Sequence, residues 1–253
     1  MNDIIEYKGW IIAGVFILFF AVEHLRPAIA ANNQQWRRII KNLLFWPLNI
    51  GLSLIIILPI SYFVSQHALW VRPNLLLLDI LILDLFIYFW HRAMHIVPFL
   101  WRFHEVHHLD EHLDTTSAVR FHFGEVFFSV FVRSIVVVIF AVPFSSILIF
   151  ETLVMVAALF HHSNIKLPQN IDDILSRIII TPNIHWVHHH AIRKDTDSNY
   201  GTIFSFWDRI FKTRSATMRF AAMKIGAQGQ KDVRFLRLLV KPFVYQIRNK
   251  PKH

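Results

Sequence analysis

Residues 75–95 read LLLLDILILDLFIYFWHRAMH, an apolar run that ends in histidine, and the rest of the chain can be read outward from this join. Leu75 to Trp90 is apolar enough to enter a bilayer as a helix. Helical spacing puts Asp84, Tyr88, His91 and His95 at i, i+4, i+7 and i+11, a single stripe down the end of that span. An aspartate within a span is costly and asks for a partner. Pairing with Arg92 would supply one, and so would a metal-bound imidazole whose tautomer the carboxylate fixes. Neutral imidazole is the commonest metal ligand among side chains, so ligation is the expected role of His91 and His95.

Most of the sixteen histidines fall in groups of this kind. His104, His107 and His108 form H-x2-H-H, and His185, His188 and His189 repeat it. His161 and His162 are adjacent, as are His189 and His190. Neighbouring helical positions diverge by roughly 100°, so one member of each adjacent pair points away from any shared site. His122, in Arg120-Phe-His122-Phe-Gly-Glu125, stands alone and is a candidate through its place among the others. His24, His67, His112 and His253 lie outside every group.

Nine or ten ligands are too many for one ion, because four saturate a structural zinc and a catalytic zinc needs three plus an open position. Two ions would use them all. Paired metals serve hydrolysis as well as oxygen chemistry, and imidazole suits Zn, Cu, Fe and Ni alike. His104-Glu105-x-x-His108 also satisfies the zinc-protease pattern H-E-x-x-H, which keeps a membrane zinc hydrolase in play. Against it, His107 shares the same face, and the second copy carries Trp186 where the base would stand. A metal transporter or sensor would want ligands near the bilayer midplane, open to both sides.

Composition agrees with a membrane protein: 55% of residues are hydrophobic, 24 are Phe, and mean hydropathy is +0.42. Cysteine is absent, which excludes disulfides, thiolate metal sites and a cysteine nucleophile. The formal net charge is +9, and from Lys212 onward eleven Lys/Arg face one acid, Asp232. With no nucleic-acid motif present, that basic segment predicts a cytoplasmic tail near anionic lipid, with nucleic acid excluded as partner.

Five apolar stretches are expected to be membrane-embedded: 7–25, uncleaved because its flank is acidic; 39–64, kinked at Pro47 and Pro59; 75–90; 126–142; and 145–160. The last two are separated only by Pro143-Phe144, which implies a hairpin whose two helices need not fully cross the bilayer. Arg26, Arg37, Arg38 and Lys41 place the first loop in the cytoplasm. Counting forward puts every histidine group on that same face. Residues 171–180 suggest an amphipathic helix in the interface. The expected architecture is an all-α integral membrane protein with four to five membrane-embedded helices and a cytoplasmic His-rich helical cap. Residues 1–74 would be N-terminal membrane helices, 75–215 the histidine-bearing catalytic domain and 216–253 the tail. A bacterial inner membrane is the expected location.

These motifs resemble those of the sterol desaturase/fatty acid hydroxylase superfamily. Asp84-x3-Tyr88-x2-His91-Arg92-x2-His95 resembles its opening box, Trp101-x2-His104-x2-His107-His108 its second, and Arg120-x-His122-x2-Glu125 its R-x-H-P-x-E element. Phe160-x-His162-Ser163-Asn164 and His185-x2-His188-His189 resemble the next two. Asp197-x-Asn199-Tyr200-Gly201 and Trp207-Asp208-Arg209-x-Phe211-x-Thr213 resemble the closing D-x-N-Y-G and W-D-R-x-F-G-T. The resemblance covers about residues 75–215. Phe123 replaces the usual proline, and Lys212 the usual glycine.

The resemblance implies a His-ligated di-iron enzyme that uses O2 and two electrons to hydroxylate or desaturate a C–H bond of a fatty acyl, sterol or isoprenoid lipid. The implied ligands are His91, His95, His104, His107, His108, His162, His185, His188 and His189, with His122 a tenth. Asp84, Tyr88, Glu125, Asp197 and Asn199 would support them. Nothing resembling a fused cytochrome domain is present, so the implied electron donor is a separate ferredoxin- or cytochrome-like carrier.

Overall fold

A computed structural model describes residues 2–30 and 35–244. Among the described residues the structure is helical with no strands, apart from isolated bridges such as Ile179–Phe204. In chain order the helices are α1 (Asn2–Leu25), α2 (Gln35–Leu43), α3 (Phe45–Leu52), α4 (Leu58–Gln66), α5 (Leu76–Ile96), α6 (Pro98–His108), α7 (Phe123–Phe140) and α8 (Phe144–His162). Five short helices follow: α9 (Gln169–Leu175), α10 (Pro182–His188), α11 (Arg193–Thr196), α12 (Phe206–Ile210) and α13 (Phe235–Val240).

Among the described residues four segments are long and apolar enough to cross a membrane: Tyr7–Leu25, Gln35–Gln66, Phe123–Phe140 and Phe144–His162. Their outward faces carry large apolar side chains in the open, among them Trp10 (73% exposed), Ile17 (66%) and Ile55 (76%). A water-soluble protein avoids such contiguous apolar surface, whereas lipid covers it. The second segment is continuous but not regular. Pro59 has no N–H to donate, and just before it a wide turn spans Ser53–Ile57, with Leu58 N–H reaching back to Ser53 O. Pro47 lies within α3 without ending it.

α5, which was expected to span, differs in kind. It carries Asp79, Asp84 and Arg92 within 21 residues, more charge than a lipid-facing helix tolerates, and it buries Asp79, Leu83, Asp84, Tyr88 and His91 against its neighbours. It is the inner helix of the bundle, packed on α6, α7 and α8.

α7 and α8 form the expected hairpin. Ala141 closes α7 in the left-handed conformation (φ 51°, ψ 45°) and Pro143 precedes α8. At 18 and 19 residues, each runs about 27 Å at 1.5 Å per residue, close to the hydrocarbon thickness. α1 lies along α8 in the same direction. Ile12, Val15, Phe16 and Phe19 pack around Ala118, Ala158 and Leu159, and Glu23 accepts from Asn164 N at 2.9 Å.

One end of the bundle gathers the C-terminal ends of α1, α5 and α8 with the N-terminal ends of α2 and α7. At the opposite end Trp70 Nε1 donates to Ile139 O, and Asp79 accepts from Arg72 and Ser146. The histidine-bearing end is roofed by α6, a 3₁₀ turn at Thr115–Val119, and α9 to α13. α9 presents exposed Ile171 and Ile174, as an interfacial helix would.

The segment expected as a basic tail folds back onto this roof as far as residue 244. Met223 and Ile225 pack with Leu113 and Trp186, while Ala227 and Leu238 pack with Phe45 and Val106. The apolar residues set between its charges explain the docking. The tail's last nine residues, His253 included, lie outside the described ones.

Candidate metal centre

The histidines converge as two groups. His91, His95, His104, His108 and His188 form one, and His107, His162, His185 and His189 the other. Within each group one ring nitrogen per residue lies within 4.8 Å of all the rest, and every member is buried. The groups adjoin, with the His108 ring stacked on His189 at 4.3 Å. Helical spacing explains the sorting. On α6, His104 and His108 are four apart and share a face, while His107 is turned to the neighbouring group.

The outer nitrogen of most rings is aimed at an oxygen that can only accept. His91 Nδ1 donates to Tyr200 O (2.8 Å), His95 to Asp197 Oδ1 (3.3 Å), His104 to Glu125 Oε1 (3.0 Å) and His188 to Ser198 O (2.6 Å). In the second group, His107 donates to Arg120 O (3.2 Å) and His162 to Ala158 O (2.8 Å). A neutral imidazole has one donor and one acceptor nitrogen, so each of these six rings turns a bare Nε2 lone pair inward. Those lone pairs face each other: His91 Nε2 lies 3.1 Å from His104 Nε2, and His107 Nε2 lies 3.0 Å from His162 Nε2.

Two lone pairs cannot hydrogen-bond to each other. Nε2 of His95 and of His188 has no partner among the described residues, although buried. Orphaned acceptors of this kind in two clusters are satisfied by cations, and outer N–H groups tied to oxygen are the support that metal-bound imidazoles use. The residues present therefore fit two metal ions with nitrogen donors.

Burial and the crowding of neighbouring imidazoles push His107, His108, His185 and His189 well below the usual histidine range, and His188 down to about 3. Metal therefore meets little proton competition at neutral pH. Unfolded imidazoles titrate near pH ~6.5, so below that value the unfolded chain binds more protons than the fold does. The metal-free protein is thus fully stable above about pH 6.5 and loses stability as pH falls towards the folded values. Thermal unfolding of chelator-stripped protein in detergent checks this: Tm should fall steadily below about pH 6.5, and a Tm flat through that range contradicts it.

The other candidate residues take varied places. Asp84 reaches no histidine. It accepts from Ile203 N and Phe204 N (3.2 Å each) and Trp207 Nε1 (2.9 Å), tethering the closing segment to α5. Tyr88 does the same through Thr213 Oγ1 at 2.7 Å. Asn199, at φ 53°, donates to Ile184 O and accepts from Ser215 N, which sets the loop carrying the Ser198 and Tyr200 carbonyls. Gly201 has no room for a side chain, since a Cβ there would lie 2.7 Å from Phe204 O. Lys212 has φ 55°, the left-handed region that suits the glycine of the resembled pattern.

His122 is not brought to either group. Its Nε2 donates to Leu239 O at 3.0 Å and its Nδ1 accepts from Gly124 N at 3.0 Å, capping α7. The helix starts at Phe123 without the usual proline. His190 is held apart by Asp195 at 2.7 Å. His161 stays near the second group, its ring 4.0 Å from that of His185. Glu105 is paired with Lys241 and lies in neither group, so the zinc-hydrolase reading lacks its free base. Sequence reading had no means to find the carbonyls of Arg120, Ala158, Ser198 and Tyr200, because every residue has one.

Comparison with known proteins completes the picture. The chain is 28% identical over 174 residues to the ornithine lipid hydroxylase OlsE of Rhizobium tropici, covering 69% of this chain and 52% of that protein. It is 31% identical over 145 residues to the alkylglycerol monooxygenase of Xenopus tropicalis (57% and 31% covered) and 27% identical over 135 residues to that of Homo sapiens (51% and 28%). The chain thus spans about half the length of the first relative and under a third of the others. No solved structure matches it. The fatty acid hydroxylase family matches residues 76–213, a stretch that holds all nine converging histidines and more than half of the chain, which therefore belongs to that family.

Proposed function

We propose that the chain is a di-iron enzyme that inserts one oxygen atom from O2 into a lipid C–H bond, releasing the other as water with two electrons from a separate carrier and two protons from solvent. One observation carries this reading: both sets of inward lone pairs border an apolar cavity. The cavity, about 160 Å³, is lined by His91, His104, His107, His162 and His185 together with Trp90, Met94 and Ala118. It shares Ile87, Phe121, Val126, Val154 and Met155 with a second cavity of about 320 Å³ between the spanning helices. A hydrocarbon chain fits such walls, and they keep water from the reacting carbon.

When bound, the two irons would supply O2 reduction and attack on the C–H bond. The five histidines of the first group and the four of the second would hold them. Glu125 and Asp197 fix the orientation of His104 and His95, Asp84 and Tyr88 hold the closing segment in place, and Asn199 shapes its loop. The names of the relatives favour hydroxylation over desaturation.

The charge pattern supports a cytoplasmic histidine face, and a bacterial inner membrane remains the proposed location. On that face Arg37, Arg38, Lys41, Arg234 and Arg237, against the acids Glu111 and Asp232, line an open groove of about 770 Å³, whose net positive charge suits an acidic ferredoxin- or cytochrome-like carrier. Residues 75–215 would form the catalytic unit on the membrane helices of 1–74, with 216–253 closing the roof. Lipid mass spectrometry of cells with and without the gene tests the function. A lipid heavier by one oxygen, present only with the gene, is expected. Identical lipid profiles would overturn the reading, and loss of two hydrogens would make the enzyme a desaturase.

A further inference from the structure

Inside the bundle, Lys8, Arg133 and Glu151 form an ion triad. Lys8 Nζ donates to Glu151 Oε2 at 2.6 Å, Arg133 Nη2 lies 3.0 Å from Glu151 Oε1, and Arg133 also donates to Ser61 Oγ at 3.4 Å. Ionisable groups within a span are costly and mark function by default. A purely structural clamp would balance its charge, but among the described residues two cations on one carboxylate leave a net positive charge. They also leave spare donors, since an ammonium has three and a guanidinium five.

The triad lines the outer cavity, the same one that shares its walls with the histidine cavity. On α7, Glu125, Ser129 and Arg133 follow at four-residue intervals, so one face of that helix runs from the carboxylate holding His104 to the triad. On α8, Glu151, Met155, Ala158 and His162 follow at steps of four, three and four and likewise share a face. Eleven residues separate Glu151 from His162, about 16 Å at 1.5 Å per residue. Between the two ends the shared walls are Ile87, Phe121, Val126, Val154, Met155 and Ser129, whose hydroxyl is turned back to donate to Val126 O. The passage is cationic at one end, metal-binding at the other and apolar between.

We propose that Lys8 and Arg133 bind the anionic group, carboxylate or phosphate, of the substrate lipid, whose chain runs along the passage to the histidines. This rests on the hydroxylase reading for the word substrate. The spacing then selects which carbon reaches the metals, counted from the charged end. Glu151 sets the strength of the site by neutralising one of the two cations.

Binding tests this without turnover or metal. Purified full-length protein in uncharged maltoside micelles is loaded with a neutral pyrene-tagged alkane, which is then displaced by hexadecanoic acid, its methyl ester or hexadecyl phosphate. An anion should displace at least about tenfold better than the ester, the worth of one charge-assisted hydrogen bond, and the better of acid and phosphate identifies the group. Lys8→Met and Arg133→Gln should close that gap, while Glu151→Gln should widen it. Misfolding cannot produce this opposite sign. Equal displacement by acid, phosphate and ester, or a gap unchanged in all three variants, would make the triad a clamp and overturn the proposal. A clear anion preference in a protein that oxidises no lipid would instead refute the hydroxylase reading alone.

Discussion

His107→Ala is expected to empty one metal site and abolish lipid oxidation while leaving the fold in place. His107 is one of four donors in the second group, and its Nε2 faces that of His162 at 3.0 Å. Removing it leaves three imidazoles, and the ion they hold loses a bond that His162, His185 and His189, held in place at the ends of α8 and α10, cannot replace. The first group keeps all five donors, so metal content should fall from two ions per chain towards one rather than to zero. Paired-metal chemistry needs both, so activity should drop by at least about a thousandfold, the scale on which members of a concerted catalytic unit fail together. Metal analysis beside an activity assay on the same preparation checks both claims. Full activity with unchanged metal content would sink the assignment.

Arg120→Leu should be the most damaging single change away from the histidines. Arg120 is fully buried. Its guanidinium donates to Asn42 Oδ1 (3.1 Å), to both Asp232 oxygens (3.0 and 2.6 Å) and to Val106 O (2.9 Å). Its own carbonyl accepts from His107 Nδ1. One residue thereby joins α2, α6 and the C-terminal segment directly behind a metal-binding ring. Nearby Asp110 shows the strength of the local field. Burial would raise it, yet the Arg38 and Arg120 guanidiniums hold it down at about 2.

Removing one partner of a buried charge pair costs about 3–5 kcal/mol, and the variant also leaves the Asn42 and Val106 acceptors short of a donor. Unfolding in detergent should show that loss, together with reduced metal at the second group only. Arg120→Lys should rescue little, because one ammonium cannot reproduce the fork that grips both Asp232 oxygens. An Arg120→Leu protein with wild-type Tm would contradict this account of the roof.

Much of this organisation is legible in the amino-acid order because it is periodic. Long apolar runs mark the spans, and the three- and four-residue spacings of His104/His107/His108 and His185/His188/His189 place rings on shared faces before any fold is known. The division into five and four was not legible. It depends on how α5, α6, α8 and α10 cross, and crossing angles leave no mark in spacing.

Asp84 shows a second limit. Its stripe with His91 and His95 suggested contact with a ring, but the carboxylate turns to backbone N–H groups 119 and 120 residues away, a long-range choice that periodicity cannot express. His122 shows a third. A histidine that caps a helix and one that binds metal have the same sequence appearance, and only the neighbours of both ring nitrogens tell them apart. The docking of the segment after residue 216 was not legible either, because Met223, Ile225 and Leu238 are too few to register as a pattern, yet enough to dock it.

Two inward-facing sets of nitrogen lone pairs at the edge of an apolar cavity are the centre of this account, and counting the metal they hold tests it most directly. Elemental analysis of protein purified from its membrane in mild detergent should find two irons per chain. One zinc per chain with no iron would contradict it and return Glu105 to consideration as the base of a hydrolase.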